Sequence, residues 1–407
     1  MSVLRLEHAL LDGRVEDDVL LTVEDGLIAG VSTGPSVGGV STGSTTVAGI
    51  TMPGLANCHS HAFHRALRGR TQAERGSFWT WREQMYRLAE ELTPDSYKDL
   101  AVEVYSEMRA TGITAVGEFH YLHHQPDGTP YDDPNEMGRA LLAAADEAGI
   151  RIRLLDTCYL AAGIGRQPEG VQRRFSDGDA DRWAERVEAF GDERVGAAIH
   201  SVRAVPREQL GVVAGWARRH DAPLHVHLSE QVAENEECLA AYGVTPTQLL
   251  ADAGVLGPMT TAVHATHLTE TDVRLLGESG TFACFCPTTE RDLADGIGPS
   301  RFLHDAGSRL TLGSDSHAVI DLFEEMRGVE MHERLATRQR GHWSAAELLA
   351  AATYDGHESL GFADGGRIAV GQRADLVTVG LDTWRTRGAG ATAEALVFAA
   401  TGADVVA

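Results

Sequence analysis

Eight apolar runs rich in β-branched and aromatic residues recur through the middle of the chain, and segments rich in Ala, Glu and Arg follow them. This alternation is typical of parallel strands joined by helical crossovers. Eight such units predict an α/β fold with a closed (β/α)8 barrel of the TIM type rather than an open sheet. The predicted barrel strands lie within residues 51–61, 113–121, 151–160, 195–202, 223–230, 260–268, 282–290 and 310–317.

Two segments between these strands have clear helical patterns, at residues 96–112 and 135–149, and each ends at a glycine. Glycine is the residue that most readily adopts the left-handed conformation at a helix C-terminus. We therefore predict that both helices end there.

The two ends of the chain have a different pattern. Residues 3–11 and 18–31 look like short strands, the Gly/Ser/Thr-rich residues 30–49 look like a loop, and residues 365–381 are again strand-like. We predict that the ends pair into a small β-sandwich domain, formed by residues 1–52 and 363–407. The predicted barrel then occupies residues 53–362.

Charge and apolar content exclude several classes of partner. The formal net charge is −24 at pH 7, whereas phosphate binding requires a basic surface, so a nucleic-acid partner is not expected. No apolar run is long enough to cross a bilayer, and acidic residues near the N-terminus lie where a signal peptide needs an apolar region. We expect a soluble, cytoplasmic protein without a membrane partner.

The cysteines are odd in number and widely spread, which predicts reduced thiols rather than a disulfide framework. Two of them, in the sequence TFACFCP, could be a metal pair, but this apolar run favours buried strand cysteines. The five are Cys58, Cys158, Cys238, Cys284 and Cys286.

Polar residues follow the predicted strands at their C-terminal ends, where the catalytic face of such a barrel lies. His59 and His61 are two residues apart on the first strand, so both imidazoles can reach one ion. Alone, this pair would be better explained as two hydrogen-bonded histidines. His227 on the fifth strand and Asp315 on the eighth add a third imidazole and a carboxylate, and this set suits Zn2+ with an open position for water.

Other residues bear on the surroundings of this set and on the number of metal ions. His225 would point the same way as His227 but deeper, and we interpret it as a core residue or a support for a ligand. A two-metal site commonly needs a carbamylated lysine on a barrel strand, whereas the only lysine, Lys98, lies in a predicted helix. A one-metal site is therefore predicted. Further titratable residues at the strand ends are Glu118, His120, His200, Glu230, His264 and His267.

Four motifs around these residues resemble the cytosine deaminase-related branch of the amidohydrolase superfamily: PGLANCHSHAFHRAL, HVHLSEQ, VHATHL and GSDSH. This resemblance implies that one divalent ion, Zn2+ or alternatively Fe2+, is bound in each subunit. It also implies that catalysis depends on Glu230, His264 and Asp315, with His264 rather than His267 as the histidine of the sixth strand. The implied metal ligands are His59, His61, His227 and Asp315.

More specific motifs extend the resemblance over about residues 53–340: SFWTWREQMYRL, EFHYLHHQPDGTPY, HSVRAVP and CPTTERDLADGIGP. They resemble the deiminases that convert N-formimino-L-glutamate to N-formyl-L-glutamate and ammonia in histidine degradation, and a homodimer is implied. Arginine suits the two carboxylates of such a substrate because its guanidinium binds them bidentately. The implied substrate contacts are His64, Arg82, Tyr121, His200 and Arg203.

Some features depart from that resemblance or remain open. His64 stands where the family pattern HSHAFQR has glutamine, and His123 and His124 are interpreted as solvent-facing loop residues. Taken singly, Arg82 fits a surface salt bridge and Tyr121 fits ordinary packing about as well as substrate binding. The chain ends where relatives continue through further strands, so the small domain is expected to be abbreviated or completed otherwise.

The sequence leaves two alternative functions. One is another deaminase of the same branch, acting on a different formimino amino acid, guanine, cytosine or a triazine. A ring substrate would require aromatic stacking rather than two arginines facing carboxylates. The other is a catalytically silent barrel, which a complete set of metal ligands with Glu230 and His264 disfavours.

Overall fold

The computed structural model describes residues 1–34, 45–72 and 78–406, with only the backbone at residue 78. Half of the loop predicted at residues 30–49, namely residues 35–44, therefore lies outside the described residues. The prediction is wrong for residues 30–33 and 45–49, which belong to strands. Strands in the described part are β1 (Ser2–Leu11), β2 (Arg14–Glu24), β3 (Leu27–Thr33), β4 (Thr45–Pro53), β5 (Leu55–Ser60), β6 (Ile113–His120), β7 (Arg151–Cys158), β8 (Val195–Ile199), β9 (Leu224–Leu228), β10 (Thr260–His264), β11 (Phe282–Phe285), β12 (Leu310–Leu312) and β13 (Leu376–Val379).

Helices alternate with the central strands. Those in the described residues are α1 (Phe78–Glu91), α2 (Pro94–Ala110), α3 (Glu136–Ala148), α4 (Ala180–Glu188), α5 (Leu210–Arg219), α6 (Val232–Tyr242), α7 (Pro246–Asp252), α8 (Glu270–Ser279), α9 (Pro287–Asp292), α10 (Ser300–Ala306), α11 (Leu322–Thr337), α12 (Ala345–Ala352), α13 (Tyr354–Ser359) and α14 (Ala393–Phe398).

The barrel consists of β5 to β12, paired in parallel and in sequence order. All eight predicted strands are confirmed. The first and last strands meet through a bridge between Ser60 and Asp315. There, the Asp315 amide donates to the His59 carbonyl over 3.0 Å, and the His61 amide donates to the Asp315 carbonyl over 3.1 Å. The backbone of the predicted metal ligands thus closes the barrel.

Both helices predicted between the first three barrel strands are present. α2 begins at Pro94 because Thr93 caps it: the Ser96 amide donates to the Thr93 side chain, and proline suits the first helical position. α3 ends as predicted, with Gly149 in the left-handed conformation at φ 69°.

The two ends of the chain form one sheet with the order β13-β4-β1-β2-β3, so the predicted pairing of the ends is confirmed. Two details of the prediction are wrong. Only Leu376–Val379 of the predicted C-terminal run is a strand, and the described residues contain no second sheet that would make a sandwich. The reason is that irregular chain, through Ile368 and Ala374, covers the apolar face of the sheet instead. The domain limits at 52/53 and 362/363 remain a proposal.

All five cysteines are buried and free, as predicted for reduced thiols. Cys284 lies on β11 and Cys286 directly follows it, and both pack with Leu360 and Phe362 in a small apolar cluster. No described helix is both long and apolar enough to cross a membrane.

Candidate active site

Four side-chain atoms, one from each predicted metal ligand, converge at the C-terminal mouth of the barrel, and we term this group the four-ligand cluster. His227 Nε2 lies 3.1 Å from His59 Nε2 and 3.4 Å from His61 Nε2. Asp315 Oδ1 lies 3.4 Å from His59 Nε2 and 3.5 Å from His61 Nε2. A tetrahedral zinc ion with bonds of about 2.0–2.1 Å would separate its ligand atoms by about 3.3–3.4 Å. The predicted set is therefore brought together at the spacing that one such ion requires.

The local backbone geometry determines the direction in which the side chains of the four-ligand cluster point. His59 and His61 alternate with Ser60 at the end of β5, so both rings face the same way. β12 approaches closely because Gly313 has no side chain; a Cβ there would lie 2.7 Å from that of His59. Asp315 and His264 have φ values of 42° and 70°, a left-handed region that costs about 1–3 kcal/mol for residues other than glycine. Both residues therefore hold a strained backbone conformation where the chain enters the site.

Burial keeps the histidines neutral, which is the form that binds a metal. It lowers the pKa of His59, and together with the charge of His59 it lowers that of His61 to about 3. His61 Nδ1 donates to the Phe119 carbonyl over 2.9 Å, which leaves Nε2 as the lone-pair nitrogen in the cluster. Burial alone would raise the pKa of Asp315, but the adjacent histidines, His59 foremost, hold it below its usual range.

Glu230 and His264 flank the cluster. His264 Nε2 lies 3.8 Å from Asp315 Oδ2 and 4.0 Å from Glu230 Oε1. Burial raises the pKa of Glu230, and the nearby charges of His264 and Arg203 offset this only in part. For His264, burial lowers the pKa, but the carboxylates around it, Glu230 first, raise it well above its usual value. Two groups able to hold a proton therefore lie beside the predicted metal position.

A pocket leads from this cluster to the predicted substrate contacts, all five of which line it: His64, Arg82, Tyr121, His200 and Arg203. Arg82, on α1, lies over the rings of Trp79 and Tyr86, with its guanidinium carbon 4.4 and 5.5 Å from their centres. No carboxylate among the described residues pairs with Arg82. The surface salt bridge weighed for Arg82 is absent from that part of the chain, and its charge is available to a ligand.

Three other predicted substrate contacts, His64, Tyr121 and His200, are held in place by neighbouring aromatic side chains. His64 Nε2 lies 2.9 Å from the Tyr121 hydroxyl, and both side chains are buried. The His200 ring packs between those of Tyr159 and His227, at 4.7 and 5.1 Å between centres. One side of the pocket, next to the four-ligand cluster, is therefore lined by aromatic side chains that can form hydrogen bonds.

Arg203 differs from Arg82 because it already has carboxylate neighbours. Its Nε lies 3.3 Å from Glu234 Oε2, and its Nη2 lies 3.7 Å from Glu230 Oε2. Glu234 is fully buried on α6 and also accepts the Ser229 amide over 3.2 Å. The charge of Arg203 is therefore shared with Glu230 and Glu234, which sequence reasoning did not foresee.

Two acidic residues near His264 were also missed. Glu290 Oε1 lies 3.5 Å from His264 Nδ1, and both side chains are 2% exposed. Burial, followed by the charge of Glu230, raises the pKa of Asp295 to about 9, so this carboxyl is neutral at pH 7. Both residues lie in the motif CPTTERDLADGIGP, which was matched as a whole without assigning a role to its acids.

The prediction of solvent-facing His123 and His124 is wrong, because both are buried. His123 Nε2 donates to the Thr157 carbonyl over 2.9 Å, and His124 Nε2 lies 3.1 Å from Asp177 Oδ1. His123 belongs to a second cluster, in which it, His120 and Asp156 offer ligand atoms close to one another. Arg186 occupies both oxygens of Asp156 at 2.8 and 2.9 Å, so this carboxylate is committed to an ion pair.

The remaining candidates lie outside the four-ligand cluster. His225 is buried with Nε2 3.4 Å from the Ser359 carbonyl, and His267 Nε2 donates to the Asp295 carbonyl over 2.9 Å. Glu118 accepts from Ser60 and the Ala62 amide, which supports the first strand. Lys98 pairs with Glu147 on the helices and is not near the cluster.

The sequence pattern of the amidohydrolase family matches residues 50–407. The chain belongs to the amidohydrolase family. Formimidoylglutamate deiminase of Pseudomonas aeruginosa is 37% identical over 398 residues, covering 93% of this chain and 86% of the relative. A crystal structure of an amidohydrolase from Brucella melitensis superposes with a TM-score of 0.88 and 31% identity, covering 100% of this chain and 94% of that one.

A third relative carries the ion that the geometry suits. An adenosine deaminase from Xanthomonas campestris with bound zinc superposes with a TM-score of 0.84 and 25% identity, covering 99% of this chain and 90% of that one. This amidohydrolase is accordingly a hydrolase acting on C–N bonds, as predicted, and it has a His/Asp cluster of the kind that holds a metal.

Proposed function

We propose that this amidohydrolase hydrolyses N-formimino-L-glutamate to N-formyl-L-glutamate and ammonia. The observation that carries the proposal is the pocket that connects the four-ligand cluster with Arg82, an arginine without a carboxylate partner among the described residues. Such a pocket can hold a reactive C=N group at one end and a carboxylate at the other. The 37% identity to a formimidoylglutamate deiminase supports the same substrate.

We further propose that His59, His61, His227 and Asp315 hold one zinc ion. The ligand spacing and the zinc in the Xanthomonas campestris relative support this choice. When bound, such an ion lowers the pKa of a water ligand from 15.7 to about 7 and polarises the bond under attack. A homodimer and a cytoplasmic location are proposed on the resemblance and composition alone.

The side chains beside the cluster then move protons. Carboxylates raise the pKa of His264, but the positive charge of a bound ion would oppose that rise and favour the neutral imidazole. Asp315 and neutral His264 then accept the proton of the attacking water, whose oxygen forms a bond to the formimino carbon. Burial raises the pKa of Glu230, which favours its protonated form, and its carboxyl donates a proton to the departing nitrogen. The nitrogen needs a second proton to leave, and it receives the one that Asp315 and His264 took from the water. The C–N bond then breaks, the nitrogen leaves as ammonia, and the remaining proton of the water oxygen restores the proton of Glu230. The carbon keeps the oxygen, which yields the formyl product.

The opposite end of the pocket orients the substrate. Arg82 binds one carboxylate, because its guanidinium has no competing carboxylate among the described residues. Tyr121, His64 and His200 supply hydrogen bonds nearer the cluster. Arg203 contributes only part of its charge to a substrate, because Glu230 and Glu234 already face it.

Substitution of Arg82 by methionine is expected to raise KM for N-formimino-L-glutamate by about 10- to 100-fold, since a charged hydrogen bond is worth about 1.5–3 kcal/mol. Metal content and kcat should change little, because Arg82 does not contact the cluster. The matched control is Arg87→Met, an exposed arginine on the same helix that does not line the pocket. An unchanged KM in Arg82→Met would assign this arginine to structure.

The proposed function is tested by ammonia release from N-formimino-L-glutamate, N-formimino-L-aspartate, guanine and cytosine, with metal content measured on the same sample. We expect turnover of N-formimino-L-glutamate well above the others and about one zinc ion per chain. A clear preference for a nucleobase would replace the proposed substrate with a ring.

A further inference from the structure

His264 has two ring nitrogens in different surroundings. Nε2 faces the cluster, 3.8 Å from Asp315 Oδ2 and 4.0 Å from Glu230 Oε1. Nδ1 faces away from the cluster and is buried without a hydrogen bond of good geometry in the described part of the chain. The charged atom that faces Nδ1 is Glu290 Oε1, at 3.5 Å. The nitrogen that carries the proton therefore depends on Glu290.

Glu290 is itself fixed. It lies in the first turns of α9, its side chain is 2% exposed, and the Cys286 amide donates to its Oε1 over 2.8 Å. Its backbone amide also donates to the Cys286 carbonyl over 2.9 Å. The carboxylate cannot swing away from His264 without leaving a buried amide unpaired, which is costly.

We propose that Glu290 is a positioning residue for His264: it accepts the proton on Nδ1 and so keeps Nε2, the nitrogen facing Asp315, free to take a proton from water. The two nitrogens of a neutral imidazole are a donor and an acceptor, so a carboxylate at one selects the tautomer. Glu290 neither touches the substrate nor takes up a proton. This role rests on the proposed function, in which His264 assists Asp315.

The chain offers a matched control. Glu325 on α11 is also a fully buried carboxylate, and it accepts from the Thr288 amide over 2.9 Å and from the Thr288 hydroxyl. Glu325 therefore anchors Thr288, which lies two residues before Glu290 in the same short segment. Glu325 makes no described contact with His264. Loss of either carboxylate leaves one buried amide unpaired. Only loss of Glu290 should affect the tautomer.

The first test compares kcat, KM and zinc content of three variants of the zinc-loaded enzyme. Glu290→Ala is expected to lower kcat by about 100-fold, within the range of general base catalysis, with KM and zinc content unchanged. Glu290→Gln keeps an acceptor oxygen for both the Cys286 amide and Nδ1, so kcat should stay within about fivefold of wild type. Glu325→Ala should keep wild-type kcat.

The second test does not require turnover. It can be made on the wild type and Glu290→Gln, so it remains decisive if Glu290→Ala fails to fold. Nitrogen-15 NMR of the imidazoles, with His264 assigned by comparison with His264→Gln, should find the proton of neutral His264 on Nδ1 in both the wild type and Glu290→Gln. A proton on Nε2, or equal kcat in Glu290→Ala and Glu325→Ala, would overturn the proposal. A wild-type enzyme inactive on N-formimino-L-glutamate would instead refute the proposed substrate, and the NMR result would still stand.

Discussion

Glu230→Gln is expected to lower kcat for N-formimino-L-glutamate by about 10²–10⁴-fold, the usual contribution of a positioned proton donor. Glutamine has nearly the same shape and retains hydrogen bonds, but it cannot deliver a proton to the departing nitrogen. The four ligand atoms are untouched, so we expect unchanged zinc content. KM should change little, because Arg82 still binds the carboxylate end.

Kinetics and metal analysis on the same preparation check this result. Glu237→Gln, at an exposed position on the helix that follows Glu230, is the matched control and should behave as wild type. Near-normal turnover in Glu230→Gln would remove Glu230 from proton transfer. A loss of zinc would mean that Glu230 acts on the metal rather than on the leaving group.

His227→Ala is expected to abolish metal retention and, with it, ammonia release. His227 Nε2 lies within 3.4 Å of the Nε2 atoms of both His59 and His61, so its removal opens one side of the cluster. Loss of groups that merely support a ligand already weakens metal affinity by about 10–100-fold, and loss of the ligand itself should exceed that. Zinc per chain after gel filtration measures the effect.

The matched control for this change is His225→Gln, two residues earlier on the same strand and outside the cluster. It should retain zinc. Treatment of the wild type with a chelator should abolish activity, and added zinc should restore it, whereas added zinc should not restore His227→Ala. Full zinc content in His227→Ala would refute the proposed ligand set.

The sequence predicts the candidate site correctly where the local period of a strand determines the direction of its side chains. An alternation of two on β5 aligns His59 with His61, and the strand and helix pattern predicts that His227 and Asp315 reach the same mouth. These inferences need only the secondary structure and the order of strands. The structure confirms that order and brings the four side chains together.

The sequence does not predict the surroundings of side chains whose contacts come from distant parts of the chain. His123 and His124 look like loop residues, yet their backbone amides both donate to the Arg174 carbonyl and both side chains are buried. Glu290 gave no signal of its own, because its proximity to His264 joins α9, which follows β11, to the end of β10. Such contacts follow from tertiary packing, which propensity does not encode.

The bridge between the first and eighth barrel strands has a consequence for how the protein is made. The Asp315 amide donates to the His59 carbonyl and the His61 amide donates to the Asp315 carbonyl, so proposed metal ligands from opposite ends of the barrel sequence form its seam. A nascent chain that has emerged from the ribosome only as far as β11 lacks both the seam and the carboxylate ligand. The complete set of proposed ligands is therefore present only after the eighth strand has been made, and an ion bound by that set would link the first strand to the last.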